Sequence, residues 1–596
     1  MTSHALDEDD GHFSPDFDLS QIFIGRDHQI DLFDLYLNRW KRLMAAAPTS
    51  SDLVMLAPNP NNKIQGLVVL LYGRGGFGKS TLLKRYRQMA TEQDWRLAVS
   101  TIVDWEFAVE GKRGLFKPAP GQPIDASDYF KLLCSQLTNA LGKRTDEFRE
   151  YHKAVEAVQN ARREARSTLD NLKKDDRYAW LRKIASEEVV AVLRTVIPGA
   201  NLVPGIDSIA AGAKEGLDQA IKIGADQAKQ LYAKLSDRLK EKLGDYLEPA
   251  LTLGLSLGRD LSNFARNFPL LICFDTYEEI DEGDPLLRLV MGAAGVRVGW
   301  VLAGRDNLWA CLEQRRRSPG MDYGYKDMVP SDRGLAVDFN VGGVGAFTIS
   351  DIVEYFTQVS ERRSSQPLVL PIAEEEAARI LEATQGVPLA IKIAAGLYLE
   401  TSDLEMITEK ADGKREIVDE MARRYLLHTR ADPSELARLY GLALLRRSDE
   451  PAAIVAALHL TPEQAKTGYE AELSRLHRRY SFIFTEKERP SLHQEVRHFL
   501  RLWLLEHRRD SEVVAVNERL KEAHQTVLRE MEDSRQYSSL RDRLEDEEWV
   551  EAYLDLIEQQ FWLDAAEGVR SCLPFTFAAA IYLREANWEA IEVGSQ

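Results

Sequence analysis

Cysteine is scarce in this sequence. Four cysteines are spread over 596 residues, and no two of them form a Cys-x-x-Cys pair. Such wide spacing argues against a disulfide framework and against a cysteine zinc site. A reducing compartment fits this usage, and we therefore expect a cytoplasmic protein.

Long apolar runs and an excess of positive charge are also missing. The most apolar long stretch, 189–213, carries Arg194 and Asp207, and it lacks the roughly 20 clean apolar residues of a membrane span. We interpret it as two short buried helices. The formal net charge of −18 argues against broad binding to nucleic acids or anionic membranes. The acidic residues 7–10 do not resemble a secretory signal.

Several catalytic signatures are absent from the sequence. There is no His-Glu-x-x-His, no Gly-x-Ser-x-Gly and no cysteine–histidine pair at a recognised spacing. His493 and His498 lie five residues apart, which fits poorly with two metal ligands on one helix face.

The most informative motif that is present is Gly-Arg-Gly-Gly-Phe-Gly-Lys-Ser-Thr at 73–81. An apolar, strand-like run precedes it at 67–72, and a helix-like segment follows at 81–89. The glycines let backbone N–H groups close around a triphosphate, Lys79 can reach its β- and γ-phosphates, and the Ser80 hydroxyl can ligate Mg²⁺. The candidate nucleotide-binding residues of this loop are Gly73, Gly75, Gly76, Phe77, Gly78, Lys79, Ser80 and Thr81.

Short, nearly continuous apolar runs at 269–275 and 300–304 are typical of parallel strands buried on both faces. The segment 96–105 alternates well enough to be a strand, which we expect beside the strand that precedes the loop. We predict a doubly wound α/β domain from this order, in which a crossover connects two strands and a phosphate loop follows the carboxyl end of a strand.

Polar side chains at the ends of these strands would complete the site. Asp275 ends an apolar strand, where its carboxylate can hold Mg²⁺ through water. Glu278 and Glu279 follow, and either could orient or deprotonate an attacking water. Arg305 comes just after the next strand, where its guanidinium could sense a γ-phosphate.

Most of the remaining sequence has a helical pattern. The stretch 106–268 includes leucines every fourth residue at 231–247, and it is too long for an ordinary crossover. We therefore predict a helical insertion at about 130–265. After about 350 the pattern is helical again, except for a predicted hairpin at 480–492. Helices, a hairpin and a further helix predict a winged-helix module over 433–510.

These motifs occur in the order seen in STAND ATPases, the signal-transduction relatives of AAA+ proteins that include NB-ARC and NACHT switch proteins. The resemblance covers about 21–510. It is carried by Phe23-Ile-Gly-Arg26, the loop 73–81, Cys273-Phe-Asp275, Leu302-Ala-Gly-Arg305, Gly386-Val-Pro-Leu389 and Ser491-Leu-His-Gln494.

The resemblance implies a doubly wound, parallel-sheet P-loop ATPase domain in a multidomain α/β-plus-α protein. We expect an acidic tail at 1–20, the nucleotide-binding domain at 21–345, a helical lid at 346–432, the winged-helix domain at 433–510 and a C-terminal helical segment at 511–596. The last segment, with Trp549, Phe561, Trp562 and Trp588, resembles the start of a helical repeat array.

The resemblance also assigns further residues. Arg26 would help to hold the nucleotide, Gly386 and Pro388 would pack beside the adenine, and His493 would touch the β-phosphate of ADP. Two positions depart from the family pattern. Gln494 replaces an acid after His493. Thr276 follows Asp275 where many relatives carry a second acid, which moves the water-activating role to Glu278 or Glu279.

The expected function is a slow ATP hydrolase acting as a switch, closed with ADP and oligomerising with ATP and Mg²⁺. Bacterial relatives of this kind often serve in phage defence or regulated signalling. We expect the chain to bind itself, an unidentified trigger and an effector that can be a separate protein. Two alternatives remain. One is a winged-helix DNA-binding regulator, in which Arg475, Arg478 and Arg479 could face phosphates, and the other is an AAA+-like motor or loader.

Overall fold

The structure is a computed structural model. It describes residues 23–46, 64–93, 95–109, 124–174, 245, 248–309, 324–329, 336–338, 344–361, 372–401, 403–408, 433–461, 464–465, 468–480, 482–486, 489–537 and 539–582. This part of the chain is mostly helical and contains a small parallel sheet, in agreement with the expected α/β-plus-α class.

The chain divides into two compact units. One consists of Met1–Asp27, Arg74–Gly78 and Val344–Gln596, and we call it the C-terminal unit. The other consists of His28–Gly73 and Lys79–Gly343, and we call it the sheet unit. Each unit has its own apolar core.

The sheet unit is built on a parallel five-stranded sheet in the order β2-β3-β4-β1-β5. The strands are β1 Val68–Tyr72, β2 Ala98–Asp104, β3 Leu270–Asp275, β4 Val298–Gly304 and β5 Ala336–Asp338. Every residue of β1, β3 and β4 is buried, as their continuous apolar sequences predict.

One prediction about the sheet was wrong. The segment at 96–105 does form a strand, β2, but it does not lie beside β1, because β3 and β4 lie between them. Most residues of β2 are exposed or half-buried, because β2 is an edge strand with a neighbouring strand on one side only. The short β5, on the other edge next to β1, was not anticipated.

Helices surround this sheet. The helices of the sheet unit are α1 Asp27–Ala46, α2 Lys79–Thr91, α3 Trp105–Ala108, α4 Ala126–Ala140, α5 Arg149–Lys173, α6 Pro249–Phe264, α7 Asp284–Ala294 and α8 Tyr325–Met328. The apolar positions of α1 at Phe33, Leu37 and Trp40 are fully buried, as their helical spacing predicts. Trp40 also donates its indole N–H to the Val296 carbonyl oxygen at 2.7 Å.

Part of the predicted helical insertion can be seen. The helices α4, α5 and α6 pack together, and α6 also packs against α7. Asp260 of α6 accepts the backbone N–H groups of Glu150 and Tyr151, at 3.2 and 2.9 Å, and so joins α6 to the first turn of α5. The five leucines of the predicted stripe at 231–247 and the apolar stretch at 189–213 lie outside the described residues.

The C-terminal unit is helical apart from one hairpin. Its helices are α9 Ile349–Glu361, α10 Glu374–Thr384, α11 Pro388–Thr401, α12 Glu405–Thr408, α13 Pro433–Leu444, α14 Pro451–Ala457, α15 Glu470–Arg479, α16 Gln494–Glu506, α17 Ser511–Arg535, α18 Leu540–Leu544, α19 Glu547–Leu563 and α20 Ala565–Tyr582. The antiparallel strands β6 Ile483–Glu486 and β7 Arg489–Leu492 form the predicted hairpin directly before α16. Among the described helices, none combines the length and the hydropathy needed to cross a bilayer.

Candidate functional site

The loop 73–81 connects the carboxyl end of β1 to the beginning of α2. Gly76 and Gly78 have positive φ angles of 78° and 84°, a region that side chains with a Cβ rarely adopt. A Cβ added to Gly78 would meet no atom within 4 Å. The backbone therefore forms an open turn at the start of a helix, the arrangement in which N–H groups can bind an anion.

Lys79 and Ser80 begin α2, and both point toward polar groups of the sheet unit. The Lys79 ammonium donates to the Gly73 carbonyl oxygen at 2.8 Å, across the base of the loop. The Ser80 hydroxyl lies near enough to Asp275 to lower the pKa of its carboxyl group. The structure thus brings together the predicted phosphate-binding lysine and the two predicted ligands of Mg²⁺.

Asp275 is the last residue of β3 and is 6% exposed. Burial raises the pKa of its carboxyl group, while the Ser80 hydroxyl, the Thr276 amide and the charge of Lys79 act in the opposite direction. The Thr276 N–H donates to Asp275 Oδ1 at 2.9 Å. Because burial outweighs these groups, a cation beside the carboxylate would stabilise its charged form.

Glu278 and Arg305 form an ion pair at the same edge of the sheet. Arg305 donates its backbone N–H to Glu278 Oε2 at 3.1 Å and its Nε to Oε1 at 3.0 Å. Burial raises the pKa of Glu278, and Lys79 and Arg305 both act to lower it. The structure therefore brings the acid, the guanidinium and the lysine of the prediction into one electrostatic group.

Glu279 differs from Glu278 in its surroundings. Both lie on a single 3₁₀ turn at Tyr277–Glu279, but Glu279 is 3% exposed. The charged groups that act on Glu278 include Lys79 and Arg305. Glu278 is thus the candidate acid on which the charge of Lys79, the predicted phosphate-binding lysine, acts.

The sequence reasoning missed one residue of this edge, Asp104. It ends β2 and lies opposite Asp275 in the parallel register. Its Oδ1 accepts the Thr276 hydroxyl at 2.8 Å. The signal was present in the sequence, because Asp104 ends a strand in the same way as Asp275 does, and the carboxyl ends of parallel strands meet at one edge.

In the C-terminal unit, Arg26 contacts the middle of the loop. Its guanidinium donates to the carbonyl oxygens of Phe77, at 3.2 Å, and Gly345, at 2.7 Å, and it lies over the ring of Phe347. Arg26 is 7% exposed, so these contacts replace most of its solvation. The structure brings Arg26 to the loop backbone, and its contact with a nucleotide stays a prediction.

Gly386 and Pro388 lie just before and at the start of α11. Gly386 has a φ of 69°, and its carbonyl oxygen accepts the Phe347 N–H at 2.8 Å. The N–H of Leu389, one residue after Pro388, donates to the Gly76 carbonyl oxygen at 3.0 Å. The segment that the resemblance assigns to the adenine side is therefore hydrogen-bonded to the phosphate loop.

His493 lies between β7 and α16. Its N–H donates to the Phe482 carbonyl oxygen at 2.7 Å, and its carbonyl oxygen accepts the Arg497 N–H at 2.8 Å. These bonds fix the backbone of His493 at the junction of the hairpin and the helix. A contact between its ring and ADP stays a prediction.

The predicted Mg²⁺ ligands, the Ser80 hydroxyl and the Asp275 carboxylate, are two oxygen donors. Within the described ranges, no group of three or more His, Cys, Asp or Glu side chains could hold a metal ion. Mg²⁺ usually takes one or two protein oxygens and completes its shell with phosphate oxygens and water. A hydroxyl and a carboxylate beside the loop 73–81 would be such a set.

Comparison of the chain with protein-family models and with curated proteins gives no match. The resemblance to STAND ATPases therefore stands on the motifs of this chain and on their arrangement alone.

Proposed function

We propose that this protein binds ATP and ADP at the loop 73–81 with Mg²⁺ and hydrolyses ATP slowly, as a conformational switch of the STAND class. The observation that supports this most is that Ser80 and Lys79, at the start of α2, both act on the buried carboxyl group of Asp275 to lower its pKa. A mere glycine-rich turn has no need of a lysine, a hydroxyl and a buried carboxylate at one edge of a parallel sheet.

Each residue of this edge has a role in the proposal. Lys79 binds the β- and γ-phosphates, and Ser80 and Asp275 hold the cation. Mg²⁺, when bound, neutralises charge on the phosphate oxygens. Glu278 orients or deprotonates the attacking water, and its raised pKa makes it a better base than an ordinary glutamate. Arg305 stands beside Glu278, where a guanidinium can stabilise charge on a γ-phosphate.

The switch itself depends on differential binding of two nucleotides. ADP favours a closed monomer, and ATP with Mg²⁺ favours an open form that assembles with itself. A nearly complete change of population requires a difference of about 5.5 kcal/mol between the two states. Within a cell, such a device suits phage defence or regulated signalling, with a trigger and an effector that can be separate proteins.

The hairpin β6–β7 and helix α16 suit the winged-helix module of this proposal. In the DNA-binding alternative, Arg475 would be one of the residues facing phosphates. Its guanidinium instead contacts Glu435 and Glu472, and Arg438 contacts Glu472 as well. Two carboxylates already neutralise Arg475, which favours a role for this module inside the protein over one on DNA.

Isothermal titration of ATP and Mg²⁺ into the Lys79→Ala variant tests the proposal. We expect binding to be lost, because the variant lacks the lysine of the phosphate loop. Lys153→Ala is the matched control, since Lys153 is an exposed lysine paired with Glu150 on α5. Equal ATP affinity in the parent and in Lys79→Ala would remove the phosphate-loop assignment.

Mass photometry with ADP and then with ATP and Mg²⁺ tests the switch. We expect a monomer with ADP and larger assemblies with ATP. In His493→Ala we expect faster release of ADP and assembly without a trigger. Steady multi-turnover hydrolysis would favour the motor alternative, and salt-dependent retention on DNA would favour the regulator.

A further inference from the structure

Thr276 has an unusual backbone conformation next to the proposed site. Its φ and ψ angles are 52° and 39°, which lie in the left-handed region. A β-branched residue is a clear outlier there, because its side chain crowds the backbone. Such strained residues persist only where surrounding contacts hold them, and they concentrate at functional sites.

Two aspartates hold Thr276 in this conformation. Its N–H donates to Asp275 Oδ1 at 2.9 Å, and its hydroxyl donates to Asp104 Oδ1 at 2.8 Å. Asp104 is itself fixed, because the same Oδ1 accepts the Glu106 N–H at 3.0 Å and its backbone pairs with that of Asp275. The strand end of β2 therefore anchors the residue that follows β3.

The left-handed residue sets the direction of the 3₁₀ turn that carries Glu278. The Thr276 carbonyl oxygen accepts the Glu279 N–H at 3.1 Å, which begins this turn. At the other side, the Tyr277 hydroxyl donates to Asp284 Oδ1 at 2.8 Å and the Tyr277 ring is buried. Glu278 comes directly after the anchored Tyr277, and Arg305 holds its carboxylate from the other side, so the turn and Arg305 together set its position.

We propose that Asp104 is a positioning residue for hydrolysis: its hydrogen bond to the Thr276 hydroxyl holds the left-handed turn and thereby aims the Glu278 carboxylate. This inference rests on the proposed ATPase function. Asp104 acts through Thr276 and as a hydrogen-bond acceptor, so its negative charge is not required.

Four variants test this role. Asp104→Ala removes the acceptor, and Thr276→Val removes the hydroxyl while keeping the branched shape. Asp104→Asn keeps an acceptor oxygen, and Asp104→Ala with Thr276→Val removes both partners. The readouts are the single-turnover rate of ATP hydrolysis, the Kd for ATP with Mg²⁺, and hydrogen exchange of the amides at 276–279.

We expect Asp104→Ala and Thr276→Val each to slow hydrolysis by roughly tenfold, the effect of one hydrogen bond, with an unchanged Kd. The double variant should be no slower than either single variant, because both remove the same bond. Asp104→Asn should hydrolyse ATP at close to the parent rate. Amide exchange at 276–279 should be faster in the first two variants and parent-like in Asp104→Asn.

Three results would overturn the inference. They are an unchanged rate in Asp104→Ala, additive losses in the double variant, and an Asp104→Asn variant as slow as Asp104→Ala, which would mean that the charge of Asp104 acts directly. If Asp104→Ala does not fold, Thr276→Val still decides. A parent protein that binds no ATP would instead contradict the proposed function itself, so the two failures are distinguishable.

Discussion

Two buried aspartates in different parts of this protein have opposite electrostatic behaviour. Asp275, at the end of β3 in the sheet unit, has its pKa raised by burial. Asp555, on α19 in the C-terminal unit, is even less exposed, at 1%, and yet its pKa is lowered to about 2. Burial acts in the same direction on both, so their different neighbours must produce the contrast.

The neighbours of Asp555 are guanidinium groups. Arg446 Nε lies 2.6 Å from Asp555 Oδ1, and Arg447 Nη2 lies 2.9 Å from Oδ2. Arg446 also contacts Glu551. We call these four residues the arginine–carboxylate cluster. Its charges compensate one another inside the protein, and it joins the segment after α13 to helix α19.

For Asp275, a hydroxyl, an amide and the charge of Lys79 only partly offset its burial. The comparison teaches that burial of a carboxylate does not by itself indicate a structural or a functional role. In the cluster, counter-charges compensate for the burial of the carboxylates, whereas a carboxylate whose burial is only partly compensated is suited to bind a cation.

The largest effect should come from breaking the arginine–carboxylate cluster. Arg446→Met leaves two buried carboxylates with fewer counter-charges, and removal of one partner of a buried pair costs about 3–5 kcal/mol. The free energy of opening, measured by hydrogen exchange of the α19 amides, should fall by that amount. Arg570→Met is the control, since Arg570 is exposed and its ion pair with Asp564 is long, at 4.0 Å. Equal values in the two variants would show that the buried carboxylates do not need Arg446 as a counter-charge.

Replacing Asp275 should slow ATP hydrolysis without lowering the stability of the protein. Asp275→Asn should slow Mg²⁺-dependent hydrolysis by about a hundredfold, because it removes a charged ligand of the cation. Without nucleotide, the variant should be at least as stable as the parent, since burial already disfavours the ionised form. Single-turnover kinetics and thermal unfolding check the two parts. A variant that unfolds more easily but hydrolyses ATP at the parent rate would mean that Asp275 stabilises the fold and does not act in hydrolysis.

The pH dependence of stability should differ in sign between the two aspartates. For Asp555, the pKa falls from 3.8 to about 2 on folding, so its stabilisation is present above pH 3.8 and is lost as pH falls toward 2. The loss amounts to about 2 kcal/mol. For Asp275, the pKa rises above 3.8 on folding, so stability falls as pH increases from 3.8 through that raised pKa.

Unfolding free energies measured across this range in the parent, Asp555→Asn and Asp275→Asn check that difference. Each substitution should remove its own contribution from the parent's pH dependence. Curves that stay parallel to the parent in both variants would contradict the contrast.

A last pair of variants distinguishes the two neighbouring glutamates. Glu278→Gln should retain ATP binding and slow single-turnover hydrolysis by roughly a hundredfold, as expected for loss of a general base. Glu279→Gln is the matched control and should hydrolyse ATP faster than Glu278→Gln does. The opposite ranking would mean that Glu279 handles the water.

Local sequence patterns predicted much of this structure. The continuous apolar runs around β1, β3 and β4 indicated buried parallel strands, because a strand covered on both faces has few polar positions. The spacing of Phe33, Leu37 and Trp40 indicated α1, and the turn residues before α16 indicated the hairpin. These features depend on neighbours in the chain, so the sequence alone determined them, along with the loop at 73–81.

Only the tertiary structure decided which strand ends meet. The sequence does not contain the order of the strands, because pairing depends on packing between distant segments. For that reason β2 lies beside β3, and Asp104 meets Thr276 across 172 positions of the chain. The arginine–carboxylate cluster joins Arg446 to Asp555 across 109 positions. The electrostatic energy of such buried groups depends on which charges folding brings within a few ångströms of them.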